Sequence, residues 1–122
     1  MVQLDKLAKS FSYAAKGLVR VAREEQNFRI ELALAAAVIA LMFILDMRAA
    51  ERGLLTLAII LVLVLELMNS IFERMVDLLK PRIHHYVEDI KDIMAGTVLV
   101  ASVGSALIGF LLFWPYLAKF FK

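Results

Sequence analysis

The sequence predicts an all-α membrane protein, with an N-terminal amphipathic helix on the membrane surface followed by three transmembrane helices. Three observations predict it. Hydrophobic residues make up 62% of the 122 residues and mean hydropathy is +0.80. Soluble domains sit nearer about 45–50% apolar, and a single domain of this length could not hide the excess from water. Three apolar stretches are long enough to cross hydrocarbon, which takes roughly 20 residues and at least ~17. The charged residues collect before and between those stretches.

Residues 4–25 come first. Leu4, Leu7, Ala8, Phe11, Ala14, Ala15, Leu18, Val19 and Ala22 recur at helical spacing and make one apolar face. Lys6, Lys9, Ser10, Lys16, Arg20 and Arg23 fall mostly elsewhere. A basic amphipathic helix suits an anionic lipid surface; packing on another subunit is the alternative. The segment lacks an apolar block before a cleavage site and does not read as a signal peptide.

The spans are expected at about 28–46, 53–79 and 92–116. Leu32 to Leu45 carries no polar residue, and Asp46–Arg52 is a short charged turn. Pro81 stops the second helix, Arg82–Asp89 reads as a polar linker, and Lys91 opens the third helix. Trp114 and Tyr116 end that helix as an aromatic belt, with Lys119 and Lys122 beyond. Ala101, Ser105 and Gly109 form a small-residue packing stripe along it. His84 and His85 read as solvated loop residues, since adjacent histidines point apart on a helix.

A net charge of +2 is too small to suggest a nucleic-acid partner. The absence of cysteine excludes disulfides, thiol catalysis and cysteine metal sites.

The second span carries polar residues where lipid should forbid them. Glu66, Asn69, Ser70, Glu73 and Asp77 form one stripe on a 3.6-residue helix, opposite Leu, Ile, Val and Met. An ionised group at mid-bilayer costs at least ~2.5–3.5 kcal/mol on insertion scales. Snorkelling to the interface accounts for Asp77, but poorly for Glu66, ~16 Å deeper by helical rise. Glu25, Asn27, Arg29 and Glu31 stand at the same end of span one, and Lys91 and Asp92 at the same end of span three. Acids alone would suit a cation path. Acids with Lys91 and Arg29 suit a metal–phosphate complex, since carboxylates hold Mg²⁺ and cations neutralise phosphoryl oxygens. Glu66 and Glu73 are ~10.5 Å apart along the axis, too far for one ion with ligands at ~2.1 Å. Glu73, nearer water, is therefore the expected metal ligand, and the deeper Glu66 the candidate general base. No GxxxxGK[ST] loop is present, so ATP would not be held by a P-loop.

These residues resemble the prokaryotic diacylglycerol kinase family, which includes the undecaprenol kinases. The resemblance runs from Ala15-Lys16-Gly17-Leu18 through Glu25-Gln26-Asn27-Phe28-Arg29 to Glu66-Leu67-Met68-Asn69-Ser70-Ile71-Phe72-Glu73, Asp77, Lys91-Asp92 and Ala95-Gly96-Thr97-Val98-Leu99. It implies a single integral membrane kinase domain over 1–122, assembled as a homotrimeric bundle in a bacterial-type inner membrane. It implies ATP- and Mg²⁺-dependent phosphorylation of a membrane lipid alcohol: diacylglycerol to phosphatidic acid, or undecaprenol to undecaprenyl phosphate. It further implies Glu66 as catalytic base and Glu25 and Glu73 as magnesium ligands. Tyr13, Gly17, Glu25, Glu73, Asp77, Lys91 and Asp92 would contact ATP, and Asn69, Glu31 and Ser70 substrate or phosphate. Ile71-Phe72, Ile90 and Met94 depart from the smaller family residues and would crowd the site. A multimeric proton or cation transporter would not need Lys91 or the acids before span one. A non-catalytic membrane subunit would not need a buried Glu66.

Six Lys and Arg lie in the chain up to Arg29 and four from Arg74 to Lys91, ten in all, against two between spans one and two and two at the C-terminus, four in all. The positive-inside rule then places the N-terminus and the site in the cytoplasm and the C-terminus outside. Cysteines introduced at Ala50 and Lys122 should react with an impermeant thiol reagent on intact cells, and one at Ile83 should not; labelling at Ile83 alone would reverse the topology.

Overall fold

The computed structural model describes residues 1–79 and 84–121, with the backbone alone at His84. Four helices follow in order: α1 (Leu4–Glu24), α2 (Gln26–Ile44), α3 (Ala49–Leu79) and α4 (His84–Ala118), with a short 3₁₀ turn at Lys119–Phe121. Three are long and apolar enough to cross a membrane: Gln26–Ile44, Ala49–Leu79 and His85–Phe121. The expected all-helical membrane architecture is therefore present. The stop assigned to Pro81 lies outside the described residues, as do Lys80, Arg82, Ile83 and Lys122.

Two boundaries differ from expectation. α3 starts at Ala49 rather than 53, and α4 at His84 rather than 92. Hydropathy marks where a helix meets lipid, not where it begins. Residues 84–92 are polar enough for water, but Val87, Lys91 and Met94 recur at helical spacing, and Val87 is almost wholly buried. His84 and His85 consequently open α4 instead of lying in a linker, and His85 is engaged in an interaction.

The α2–α3 turn is built from its own backbone. Asp46 N–H donates to the Phe43 carbonyl at 3.4 Å and Met47 N–H to the Met42 carbonyl at 3.3 Å, the paired bonds of a Schellman motif. Asp46 sits at φ +49°, which its short polar side chain tolerates. Met42 and Met47 then pack together with Leu55, the hydrophobic contact that accompanies such an end. Glu51 reaches back to the Arg48 backbone N–H at 3.3 Å, closing half a capping box at the start of α3. Its Oε1 also accepts from Arg48 Nε at 3.0 Å and from the Tyr116 hydroxyl. That bond to Glu51 raises the Arg48 guanidinium above its ordinary pKa.

α3 and α4 are antiparallel along their length. Cross-links step from Glu51–Tyr116 through Ala58–Ser105, where the serine hydroxyl donates to the carbonyl at 3.4 Å, to Asp77–Lys91. Ser105 thus sits at the contact the small-residue stripe anticipates. Thr56 and Thr97 return their hydroxyls to the carbonyls of Arg52 and Ile93, which satisfies both donors within their own helices. α1 buries none of its residues; Leu4, Leu7, Phe11, Leu18 and Val19 are exposed. This is what a helix resting on lipid requires.

Candidate active site

The site is organised by a break in the chain. Glu25 is extended, at φ −116° and ψ 118°, and is the single residue between α1 and α2. A helix end leaves carbonyls without partners. Here Arg29 turns back, and its Nη1 donates to the carbonyls of Ala22 at 2.9 Å and Arg23 at 2.7 Å. Arg29 therefore caps α1, and the phosphate-neutralising part expected of it is not what its contacts serve.

From that break the Glu25 side chain meets α3, where its Oε1 accepts the Ser70 hydroxyl. Ser70 is only 1% exposed and Glu66, one turn deeper, 3%. Glu31 faces Glu66 from α2, and Glu66 also feels the charges of Glu25 and Glu73. Towards the α3 C-terminus, Asn69 Nδ2 donates to Glu73 Oε1 at 3.4 Å, and Lys91 Nζ pairs with Asp77 Oδ1 at 3.1 Å. Three acids, Glu31 from α2, Glu73 from α3 and Glu25 from the break between α1 and α2, thus gather around one buried glutamate. Charges this close in a poorly solvated place repel strongly.

That donor set is of the kind magnesium takes, though it makes no complete site among the described residues. It offers carboxylate oxygens, and one of them, Glu31 Oε2, is buried without a hydrogen-bond partner. Among the described residues, no group of three or more His, Cys, Asp or Glu has the arrangement of a complete protein cage. Magnesium is commonly held by one or two carboxylates and completed by phosphate oxygens and water.

Not every expected residue joins this group. Tyr13 is exposed on α1, its ring 5.7 Å from Lys16 Nζ. Gly17 has nothing within 4 Å of where a Cβ would stand, and Asp92 is exposed. Of the departures, Ile71, Phe72 and Ile90 are exposed within a protomer and Met94 is half-buried. Two residues here escape a sequence reading. Arg74 Nη2 pairs with Glu24 Oε2 at 2.6 Å, and Arg74 Nε donates to Ser70 Oγ at 3.5 Å. Helical spacing puts Arg74 near Ser70, but nothing local in sequence announces a partner 50 residues away.

Residues 12–113 match the family described as prokaryotic diacylglycerol kinase. The chain is 36% identical over 115 residues to an undecaprenol kinase of Bacillus subtilis (strain 168), covering 94% of each. It is 36% identical over 107 residues to a diacylglycerol kinase of Synechocystis, covering 87% of this chain and 61% of the other. It is 28% identical over 111 residues to the diacylglycerol kinase of Escherichia coli (strain K12), covering 91% of each.

The Arg29 cap is testable alone. Arg29→Ala should speed amide exchange in the last turn of α1 about tenfold, the order expected from losing charge-assisted bonds worth roughly 1.5 kcal/mol. Arg29→Lys should recover part of the protection. Exchange at the parental rate in Arg29→Ala would show that the cap holds nothing.

Proposed function

The chain belongs to the prokaryotic diacylglycerol kinase family, and on that premise we propose that Glu66 is the general base of its phosphoryl transfer to a lipid hydroxyl. The protein is a membrane lipid kinase, with ATP as the phosphate donor its kinase family implies. The observation that carries the reading is Glu66 itself: a carboxyl 3% exposed, inside a spanning helix, facing Glu31 and one turn from the Ser70–Glu25 contact.

In the reaction, the Glu66 carboxylate takes the proton of the lipid hydroxyl. The hydroxyl oxygen forms a bond to the γ-phosphorus, the bond to the β–γ bridging oxygen breaks, and ADP leaves. Burial of Glu66 keeps water from competing as acceptor. Glu25 and Glu73 would hold magnesium, which when bound neutralises charge on the phosphoryl oxygens. Asn69, through its amide, and Lys91 stand for the γ-phosphate. Asp77 and Asp92, with Tyr13 and Gly17 on the surface helix, stand for the rest of the nucleotide. We assign Glu31, which faces Glu66, to orienting the lipid headgroup. The Ser70 hydroxyl is committed to Glu25, so we assign it there. Both acceptors suggested by the sequence stay in view, since undecaprenol kinase and diacylglycerol kinase relatives share the same 36% identity.

We place the site on the cytoplasmic side, in reach of ATP, because the basic bias favours that orientation. We also take the working unit to be a homotrimer. α2, α3 and α4 leave broad apolar faces that lipid or further copies must cover. Tyr13, Gly17 and Asp92 stand outside the acid cluster of their own protomer, where a neighbour's site could use them. Crosslinking in mild detergent should give a ladder ending at three; a strictly monomeric active protein would overturn this assembly.

One experiment tests the chemistry. Purified protein is given labelled ATP with diacylglycerol or undecaprenol across a magnesium titration, beside its Glu66→Gln and Glu73→Gln variants. Glu66→Gln should retain nucleotide binding and lose about 10²–10⁴-fold in turnover, the usual worth of a general base. Glu73→Gln should need more magnesium and recover part of its rate at high concentration. Full turnover by both variants on every accepted lipid would remove the stripe from catalysis.

A further inference from the structure

We propose that Arg74 is a positioning residue: by clamping Glu24 to α3, it fixes the direction of the neighbouring Glu25 carboxylate. The inference rests on the reading of Glu25 as a magnesium ligand.

The need for a clamp follows from the fold. Glu25 is the one non-helical residue between two helices, so its direction depends on where each helix is held. α2 is held by packing, with Phe28, Ala35 and Met42 buried. α1 buries no residue, so packing does not fix its angle. The Arg29 cap closes α1 onto the start of α2, its hydrogen bonds going to the α1 carbonyls. What joins the end of α1 to α3 is polar, through Arg74 Nη2 to Glu24 Oε2 at 2.6 Å.

The same guanidinium reaches Ser70 Oγ with Nε at 3.5 Å, and Ser70 gives its hydrogen to Glu25. The planar fork of arginine presents several donors in fixed relative directions. Arg74 can therefore hold Glu24 while favouring the rotamer in which the Ser70 hydroxyl points at Glu25. Two neighbouring carboxylates are thus set by one side chain, Glu24 directly and Glu25 through serine. The pair is half exposed, at 46% and 54% of the two side chains. Exposed pairs contribute little to stability, so geometry rather than folding is what it supplies.

The test separates a clamp from a direct phosphate contact. Full-length protein in detergent is prepared as Arg74→Ala, Arg74→Lys, Glu24→Gln, Glu25→Gln and the exchanged pair Arg74→Glu with Glu24→Arg. Mn²⁺ affinity is read by electron paramagnetic resonance with a non-hydrolysable ATP analogue, beside KM for Mg–ATP and kcat. Arg74→Ala and Glu24→Gln should each weaken Mn²⁺ binding about three- to tenfold and raise KM, with kcat largely kept at saturating magnesium. Arg74→Lys should lie between, and the exchanged pair should recover most of the affinity. Parental Mn²⁺ affinity in Arg74→Ala and Glu24→Gln would overturn the clamp, as would an exchanged pair no better than Arg74→Ala, which would put Arg74 on the phosphates. If Glu25→Gln binds Mn²⁺ like the parent, the reading of Glu25 as a ligand fails and takes the clamp with it. If Glu25→Gln weakens binding and Arg74→Ala does not, the clamp alone fails.

Discussion

A carboxyl group below the membrane surface has no water to solvate it, and that cost governs how this molecule is built. Glu66 is buried within a spanning helix, so the chain must bring polar company to it. Glu31 comes from α2, Glu25 from the break before α2, and Ser70 from the next turn of α3. The break at Glu25 makes sense in this light. A continuous α1–α2 helix could not both lie along the surface and span the bilayer. The extended residue turns the chain and places a carboxylate at the corner, against Ser70.

The two ends of the bundle solve different problems. At the Arg48 end, α2 enters a Schellman turn, α3 is capped by its own Glu51, and Tyr116 ties α4 to that glutamate. At the other end, the links between elements are long side chains: Arg74 to Glu24, Lys91 to Asp77, Arg29 to the α1 carbonyls. Both ends pack apolar residues, Met42 and Met47 at one and Phe28 and Val87 at the other, but the second adds charged links between elements that phosphate oxygens could compete for. The proposed site lies at that second end.

Much of this was legible in the sequence, because the informative signals are local. Hydropathy marks the three long apolar helices, helical periodicity marks the amphipathic N-terminal helix, and the same period lines up Glu66, Ser70 and Glu73. What hydropathy could not show is that α4 runs on through polar residues to His84, since a helix in water carries only an amphipathic signal such as Val87 with Lys91. Nor could it show that Arg29 serves the α1 carbonyls, or that Tyr116, read as part of an aromatic belt, also donates to Glu51. Arg74 and Glu24 are separated by 50 residues, and no period connects them. Tyr13, Gly17 and Asp92 rested on resemblance alone, and in one protomer they stand apart from the acids.

The length of α2 has a consequence of its own. Its 19 residues rise ~28 Å, close to the ~30 Å thickness of a bilayer's hydrocarbon core. α3 and α4, at 31 and 35 residues, overshoot that thickness and can slide or tilt without losing their fit. α2 cannot, because the Schellman turn pins one end and Glu25 marks the other. A thicker bilayer would draw Glu25 below the headgroups; a thinner one would force α2 to tilt and lean the surface helix with it. Membrane thickness thereby becomes a coordinate of the proposed site.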